Sequence, residues 1–404
     1  MTELAEKRIL LGLTGGIAAY KAADLARGLI KQGADVQVVM TDAACRFISP
    51  MTLQALTGKP VYTSMWDDSI SNGMPHIELS RDRDLIVVAP ATADFMAKLV
   101  HGAADDLLAT LCIARDCPLM VAPAMNRQMW ENPATRRNVE QLRADGIIIE
   151  GPASGDQACG ENGMGRMSEP DQIVESIVAW FQPKLLAGAR ILVTAGPTYE
   201  PIDAVRGITN LSSGRMGYSV ARAAHEAGAQ VTLISGRTGM QPPANVSVVD
   251  VITAQQMHDA VMERLSECDI LVAVAAVADY RVSNRQEHKI KKKPGTGLTL
   301  ELEPNPDILE SVAARKDAPF CVGFSAESQN VESHAAEKRR RKNIPLIAAN
   351  LVQDAFGSEE NELILIDDDG AHRLPRSSKL HQARGLIRHI TRLYKPARSS
   401  VTTR

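Results

Sequence analysis

Arg8-Ile-Leu-Leu-Gly-Leu-Thr-Gly-Gly-Ile-Ala-Ala-Tyr-Lys21 carries a branched apolar run into small residues and then into a helix-forming segment. A parallel strand hands over to a helix in this way. The turn between them presents backbone N–H groups and the positive end of a helix dipole, which suit a bound phosphate. A second stretch, Arg190-Ile-Leu-Val-Thr-Ala-Gly-Pro-Thr-Tyr-Glu-Pro-Ile-Asp203, has the same shape with different residues. Two such openings that are not copies of each other predict two sites for two different phosphorylated ligands.

Outward from the first opening, strands are expected at residues 9–13, 36–40, 85–89, 119–122 and 147–149. Helices are expected at 18–32, 93–100, 106–114, 134–144 and 171–181. Outward from the second, strands fall at 191–194, 231–234, 246–249, 270–274, 321–324 and 346–349. Helices fall there at 216–227, 254–266, 307–314 and 327–342. A strand at 362–366 and a helix around 380–393 complete the second half. Continuous apolar strands alternating with amphipathic helices predict parallel sheets covered on both faces. The fold class is therefore α/β, with two doubly wound Rossmann-like domains. We place them at residues 1–185 and 190–395, joined by Gln182-Pro-Lys-Leu-Leu-Ala-Gly-Ala189, with a polar tail at 396–404 expected to be disordered. The length of 404 residues suits two domains of roughly 200 each.

Composition excludes several classes of function. A net charge of −3 makes no case for nucleic acid or an anionic membrane surface. The longest apolar runs, such as 270–278, fall far short of a membrane span of about 20 residues. The charged N-terminus passes directly into a strand, which argues against a signal peptide. The six cysteines form no C-x-x-C pair and no His/Cys ligand spacing, as expected for reduced thiols in a cytoplasmic protein.

In the first half, Thr14-Gly15-Gly16 lacks the G-x-G-x-x-G spacing and fits a single phosphate better than a dinucleotide pyrophosphate. A glycine pair that merely starts a helix would look the same. Thr41 ends the second strand, and Pro90-Ala91-Thr92-Ala93 ends the next, where small residues can lie beside a flat ring. Three such strand ends make a mononucleotide crevice. His76, in Gly73-Met-Pro-His-Ile-Glu78, reads as part of a loop-to-strand segment and as a candidate base. The Asn126 amide suits a carboxylate, although asparagine is also an ordinary turn former. Cys159 sits in a glycine-rich stretch, 151–167, that reads as a mobile flap bearing one thiol.

In the second half, Ser212-Ser213-Gly214 precedes a helix beginning near Met216, so hydroxyls, N–H groups and a dipole converge there. An N-capped helix explains that triplet alone. Arg206 and Asn210 just upstream shift the reading towards a carboxylate or acyl phosphate. Ala275-Ala276-Val277-Ala278-Asp279 follows a buried strand; its small residues permit close approach, and Asp279 suits a ribose or a metal. Lys289 opens a basic run that reads equally as a solvated face. Asn305-Pro306-Asp307-Ile308 reads as a loop and helix cap. Phe324 suits a base ring or the core. Lys338 and Lys342 share a helix face and suit a polyphosphate or plain solvent.

The first-half motifs Gly15-Gly-Ile-Ala-Ala-Tyr-Lys21, Pro75-His-Ile-Glu-Leu79, Ala89-Pro-Ala-Thr-Ala-Asp94, Pro123-Ala-Met-Asn126 and Ala158-Cys-Gly-Glu-Asn-Gly-Met-Gly-Arg-Met167 closely resemble the flavin-dependent phosphopantothenoylcysteine decarboxylase family. The resemblance implies a flavoprotein-type domain with FMN at the strand ends, on Thr14, Gly15, Gly16, Thr41 and residues 90–93. It implies oxidation of a substrate thiol, loss of carbon dioxide and return of the electrons. His76 would be the active-site base, Asn126 would orient the substrate carboxylate, and Cys159 would be the final proton donor.

The second-half motifs Thr194-Ala-Gly-Pro-Thr198, Val205-Arg-Gly-Ile-Thr-Asn210, Ser212-Ser-Gly214, Ala275-Ala-Val-Ala-Asp-Tyr280, Lys289-Ile-Lys-Lys292, Asn305-Pro-Asp-Ile308 and Gly323-Phe-Ser-Ala-Glu327 resemble phosphopantothenate–cysteine ligase in its CTP-using bacterial form. This implies activation of 4′-phosphopantothenate as an acyl cytidylate and attack by the amine of cysteine. Arg206 and Asn210 would engage the acyl cytidylate, and Lys289 would stabilise charge as it forms. Ser212, Ser213, Gly214, Ala275, Ala276, Asp279, residues 305–308, Phe324, Lys338 and Lys342 would line the CTP and substrate site. Mg²⁺ would neutralise the triphosphate, with Asp279 a candidate ligand. The partners implied are small molecules and further copies of the chain in a homo-oligomer. Two positions depart from the family pattern. Gly207 stands where a bulkier residue is common, and Arg215 where lysine is common. The competing readings are a flavin-binding regulatory protein and an NAD-dependent oxidoreductase. The latter calls for a G-x-G-x-x-G turn that neither half supplies.

Overall fold

The computed structural model describes residues 2–66, 74–158, 160–243, 245–291, 297–327, 329–351 and 360–395. The chain divides into two compact units, Met1–Phe181 and Gln182–Arg404.

In the first unit, the apolar runs become β1 (Arg8–Leu13), β2 (Asp35–Met40), β3 (Val61–Tyr62), β4 (Leu85–Ala91), β5 (Leu119–Pro123) and β6 (Ile148–Ile149). They form one parallel sheet in the order β3-β2-β1-β4-β5-β6. Alternate residues of β1 serve opposite faces, as the pleat requires. Ile9, Leu11 and Leu13 pack with Leu25, Leu29, Ile173 and Ile177. Leu10 packs instead with Ile86, Phe95, Leu108 and Leu142. From β1 the chain winds outward to β3 and then crosses to β4 on the other side. That reversal opens a crevice at the carboxyl ends of β1 and β4. The glycine-rich stretch after β6 forms a separate antiparallel hairpin, β7 (Ala153–Asp156) and β8 (Asn162–Arg166).

The second unit contains β9 (Arg190–Ala195), β10 (Tyr199–Pro201), β11 (Gly207–Thr209), β12 (Gln230–Ser235), β13 (Ser247–Asp250), β14 (Ile270–Ala273), β15 (Tyr280–Val282), β16 (Leu302–Pro304), β17 (Phe320–Glu327), β18 (Leu346–Leu351), β19 (Glu360–Ile366) and β20 (Ala371–Ser378). The main sheet runs β13-β12-β9-β14-β17-β18-β19-β20. It is parallel from β13 to β18, with its reversal between β9 and β14. The last two strands are antiparallel additions. Helices Arg215–Glu226 and Lys379–Leu393 cover one face, and Ala254–Arg264 and Ile308–Ala313 the other.

The apolar periodicity predicts neither β20 nor the short pairs β10–β11 and β15–β16. It predicts a helix from 327, where the structure continues β17 to Glu327 and starts the helix at Val331. His76 is a further correction. It lies in a helix, Pro75–Ser80, rather than a loop leading to a strand, because Pro75 at the first helical position presets φ. Among the described residues, no helix is long and apolar enough to cross a membrane.

Candidate functional site

In the first unit one hydroxyl organises the crevice. Thr14, 2% exposed, donates from Oγ1 to the Pro90 carbonyl at 2.8 Å and accepts the Thr92 N–H at 3.1 Å. The end of β1 and the turn after β4 are thereby fixed to each other. Thr41 and Thr92 both cap helices, accepting the N–H of Ala44 and of Phe95 at 3.2 Å. At Gly15 a Cβ would sit 2.4 Å from the Ala43 Cβ, so only glycine lets the strand end pass the turn after β2. A cavity of about 620 Å³ opens here, lined by Thr14, Gly15, Thr41, Thr92 and Ala93 among others. A second, of about 640 Å³, shares Gly15, Thr92 and Ala93 and extends to Gly16, Asn126 and Lys21. Both volumes suit a drug-sized ligand.

The buried Lys21 ammonium meets the Met167 carbonyl at 3.4 Å and Glu169 at 2.9 Å. The hydrogen bond from Lys21 holds the Glu169 carboxyl below its usual range. Asn126 is the N-cap of helix Arg127–Glu131. Its Oδ1 accepts the Met129 N–H at 3.0 Å, and its Nδ2 donates to Gln128 at 3.0 Å. Gln128 reaches Glu161 at 2.7 Å, and the Met125 N–H donates to the Gly165 carbonyl at 2.9 Å, so the β7–β8 hairpin is tied to the Asn126 turn. His76 lines neither cavity. Cys159 lies outside the described residues. The other five cysteines all have thiols pushed up chiefly by burial, Cys112 and Cys321 to about 12. None of those five is an activated thiolate.

In the second unit the corresponding crevice lies between β9 and β14. Thr194 Oγ1 accepts the Ala275 N–H at 3.2 Å, and Thr198 Oγ1 accepts the Ala278 N–H at 3.0 Å. Asn210 donates from Nδ2 to the Ala276 and Val277 carbonyls, both at 3.1 Å. Asn305 donates to the Ala278 carbonyl at 2.9 Å. Ser212 accepts the Gly214 N–H at 3.3 Å, which commits its hydroxyl to the turn. Gly214, at φ +76°, lies against Gly196 and starts the following helix over the end of β9.

Arg206 is held by Asp203, a carboxylate 2% exposed, and by the Ile290 carbonyl at 3.0 Å. Asp203 also accepts the N–H groups of Val205 and Arg206 at 2.8 Å and of Ile290 at 3.0 Å. The Arg206 guanidinium and these N–H groups hold the Asp203 carboxyl well below the usual range. This ties the 203–210 loop to the segment that carries the exposed Lys289.

A second group gathers beyond β14. Lys338 donates to the Phe324 carbonyl at 3.2 Å, and Lys342, with its side chain 5% exposed, is paired with Asp307. Burial works against the Asp307 anion, but the Lys342 ammonium and the Glu310 N–H outweigh it and hold its carboxyl low. Lys342 is therefore not on the open helix face expected from the four-residue spacing; Asp307 takes its charge. Asp279 is exposed and belongs to no group of three or more potential ligands among the described residues.

Residues 1–182 match the family described as Flavoprotein, and residues 186–394 the family described as DNA/pantothenate metabolism flavoprotein C-terminal domain. The chain is 49% identical over 384 residues to the coenzyme A biosynthesis bifunctional protein CoaBC of Vibrio cholerae serotype O1, covering 94% of this chain and 96% of that one. It is 48% identical over 383 residues to that of Escherichia coli K12, covering 93% and 94%. With that of Bacillus subtilis 168 it shares 41% over 400 residues, covering 97% and 98%. The chain belongs to the CoaBC family. It is a bifunctional enzyme of coenzyme A biosynthesis, with a flavoprotein decarboxylase half and a ligase half.

Three buried charged residues within the motifs, Lys21, Glu200 and Asp203, hold the sites together. Asp203 and Glu200 are both buried acids, and Glu200 accepts the Ala254 N–H at 2.8 Å. Two acids alternating with prolines and apolar residues are a signal that they face inward. Lys21, a buried lysine ending a helix-start motif, carries a similar one.

Proposed function

We propose that the first unit binds FMN at Thr14, Gly15, Gly16, Thr41 and residues 90–93 and decarboxylates 4′-phosphopantothenoylcysteine. A turn without pyrophosphate spacing, beside a cavity large enough for a flavin, supports a mononucleotide. Bound FMN supplies a two-electron acceptor for the substrate thiol. Asn126 keeps one Nδ2 N–H beyond its bond to Gln128, and this orients the substrate carboxylate for loss of carbon dioxide. His76 takes the thiol proton, and the Cys159 Sγ–H returns a proton in the final reduction. His76 lines neither cavity of its own chain and would act in the site of a neighbouring copy. Ile17, Tyr20 and Met129, 63, 58 and 48% exposed beside the second cavity, support such a homo-oligomer.

The second unit activates 4′-phosphopantothenate with CTP, releasing pyrophosphate, and the amine of cysteine displaces CMP from the acyl cytidylate. Asn210 shapes the Ala276–Val277 turn and, with Arg206, holds the acyl cytidylate, while Lys289 offsets charge as it forms. Lys338 and the Phe324 region receive the nucleotide, and Lys342 fixes Asp307. Mg²⁺ fits as an ion held by Asp279 and the triphosphate, since Mg²⁺ seldom needs an all-protein cage.

The convergence of Asn210 and Asn305 on the Ala276–Ala278 turn at the sheet reversal, with Arg206 held by Asp203 and Ile290 on the loop that leads to Asn210, carries this reading. The test is to look for flavin absorbance in the purified protein, then supply 4′-phosphopantothenate, cysteine and CTP. Carbon dioxide released only with CTP is the expected result; absence of both flavin and release overturns the reading. Cys159→Ala should stall decarboxylation with the ligase intact. A fully active Asn210→Asp ligase would refute the assignment of that loop.

A further inference from the structure

At the far end of the second unit, away from the β9–β14 crevice, one carboxylate faces two imidazoles. Asp367 follows β19, His372 lies on β20, and His389 lies on the helix Lys379–Leu393. β19 runs antiparallel to β18 and pairs Ile366 with Ile347, so Asp367 stands near the start of the parallel strands, at the edge opposite the carboxyl-end crevice. His389 Nε2 lies 2.7 Å from Asp367 Oδ2, and His372 Nε2 lies 3.1 Å from Oδ1. The two rings sit side by side, with centroids 4.8 Å apart. Asp367 and His389 are 5% and 6% exposed, while His372 is at the rim with a third of its side chain exposed. Nothing in either proposed reaction uses these groups.

We propose that Asp367, His372 and His389 bind a zinc-class divalent ion that pins the β19–β20 hairpin to the C-terminal helix. Two imidazole nitrogens and a carboxylate oxygen are the donor set of a three-ligand zinc site with one position left to water. Bond lengths of about 2.0–2.1 Å in a tetrahedron place ligand atoms about 3.3 Å apart. The three donor atoms already lie within 4.8 Å of one another, so ligation needs only small shifts. The carboxylate is oriented in advance. Asp367 Oδ1 accepts the N–H groups of Asp369 at 2.8 Å and Gly370 at 3.2 Å, which closes the turn beneath it. Rim exposure of His372 leaves a path for the ion and a place for the water. Each imidazole gives its Nε2 lone pair, so protons compete with the metal and binding weakens as pH falls.

The test uses the full-length protein, stripped with a chelator, exchanged into Mg²⁺ buffer and titrated with zinc chloride. Binding is read by calorimetry, and bound metal by elemental analysis. Zinc can also reach thiols, so the quantity scored is the difference between the native chain and His372→Gln, a rim substitution that leaves the core intact. One ion more per chain in the native protein, with binding weakened about 100-fold or more in the variant, is expected, given that loss of an outer-shell partner alone costs 10–100-fold. His389→Gln should act likewise and, should it fail to fold, His372→Gln still decides. Zinc should also raise the melting temperature of the native protein but not of His372→Gln. Equal uptake by both proteins, or none by either, overturns the proposal and leaves a hydrogen-bonded cluster only.

Discussion

Replacing Thr14 with valine keeps the shape of the side chain and removes its hydroxyl. Two hydrogen bonds go, to the Pro90 carbonyl and from the Thr92 N–H. Each is worth about 1 kcal/mol net. Pro90 keeps the Thr14 N–H at 3.3 Å, whereas the Thr92 N–H loses its acceptor in a half-buried turn, which adds about 1 kcal/mol more. The expected cost is therefore about 2–3 kcal/mol. If it falls wholly on the strand ends proposed to hold the flavin, affinity drops about 30- to 140-fold. Thr14→Ser keeps the hydroxyl and should lose about 1 kcal/mol or less. Flavin absorbance after dialysis reads the first effect. Urea unfolding followed by tryptophan fluorescence reads the second, and it reports the first unit alone, because Trp66, Trp130 and Trp180 all lie there. A valine variant that holds flavin like the native protein, and unfolds no earlier than the serine variant, would refute the role given to this hydroxyl.

Three further outcomes follow from the ligase half. Burial, and then the nearby Lys342 charge, lower the Lys338 pKa. Its ammonium is therefore lost, as pH rises, below the ordinary lysine value. The KM for CTP should climb on the alkaline side accordingly, and Lys338→Arg should push that limb to higher pH; an unmoved limb speaks against the assignment. Asp203→Asn removes the anion that pins Arg206 and Ile290, and should lower ligase kcat while decarboxylation of supplied 4′-phosphopantothenoylcysteine is unchanged. The Asp203 pKa is depressed, so its contribution is intact above the usual carboxylate range and is lost only as pH falls through the lowered value. The ligase profile near neutrality should then show no inflection that Asp203→Asn abolishes. A Cβ at Gly207 would lie 2.3 Å from the Tyr199 ring, so Gly207→Val should destabilise the β10–β11 pair by about 1–3 kcal/mol. Adding Tyr199→Ala should recover much of that, measured as a double-mutant coupling.

The alternation of apolar strand and amphipathic helix made both parallel sheets legible, since each strand is buried on two faces and reads as an unbroken run. Strand β20, Ala-His-Arg-Leu-Pro-Arg-Ser-Ser, escaped because it is an edge strand that carries a proline and two arginines. Helix Pro75–Ser80 is too short to show a period, and its one signal, the leading proline, reads equally as a turn. The strand ends proposed to form the sites stand out in the sequence because small and hydroxyl side chains there break the apolar pattern. Pairing was not. Lys342 meets Asp307 across 35 residues, and Asp203 meets Ile290 across 87, and a spacing pattern carries no trace of contacts made by folding.

The two edges of the ligase sheet bear on how copies of the chain can meet. At one edge β13 is four residues long. At the other, β20 places Pro375 among Arg373 and Arg376, so one backbone donor is missing and cations flank the gap. A second sheet extending either edge would meet a short strand or this proline and its flanking cations, so among the described residues the last strand of the sheet works against strand-by-strand aggregation.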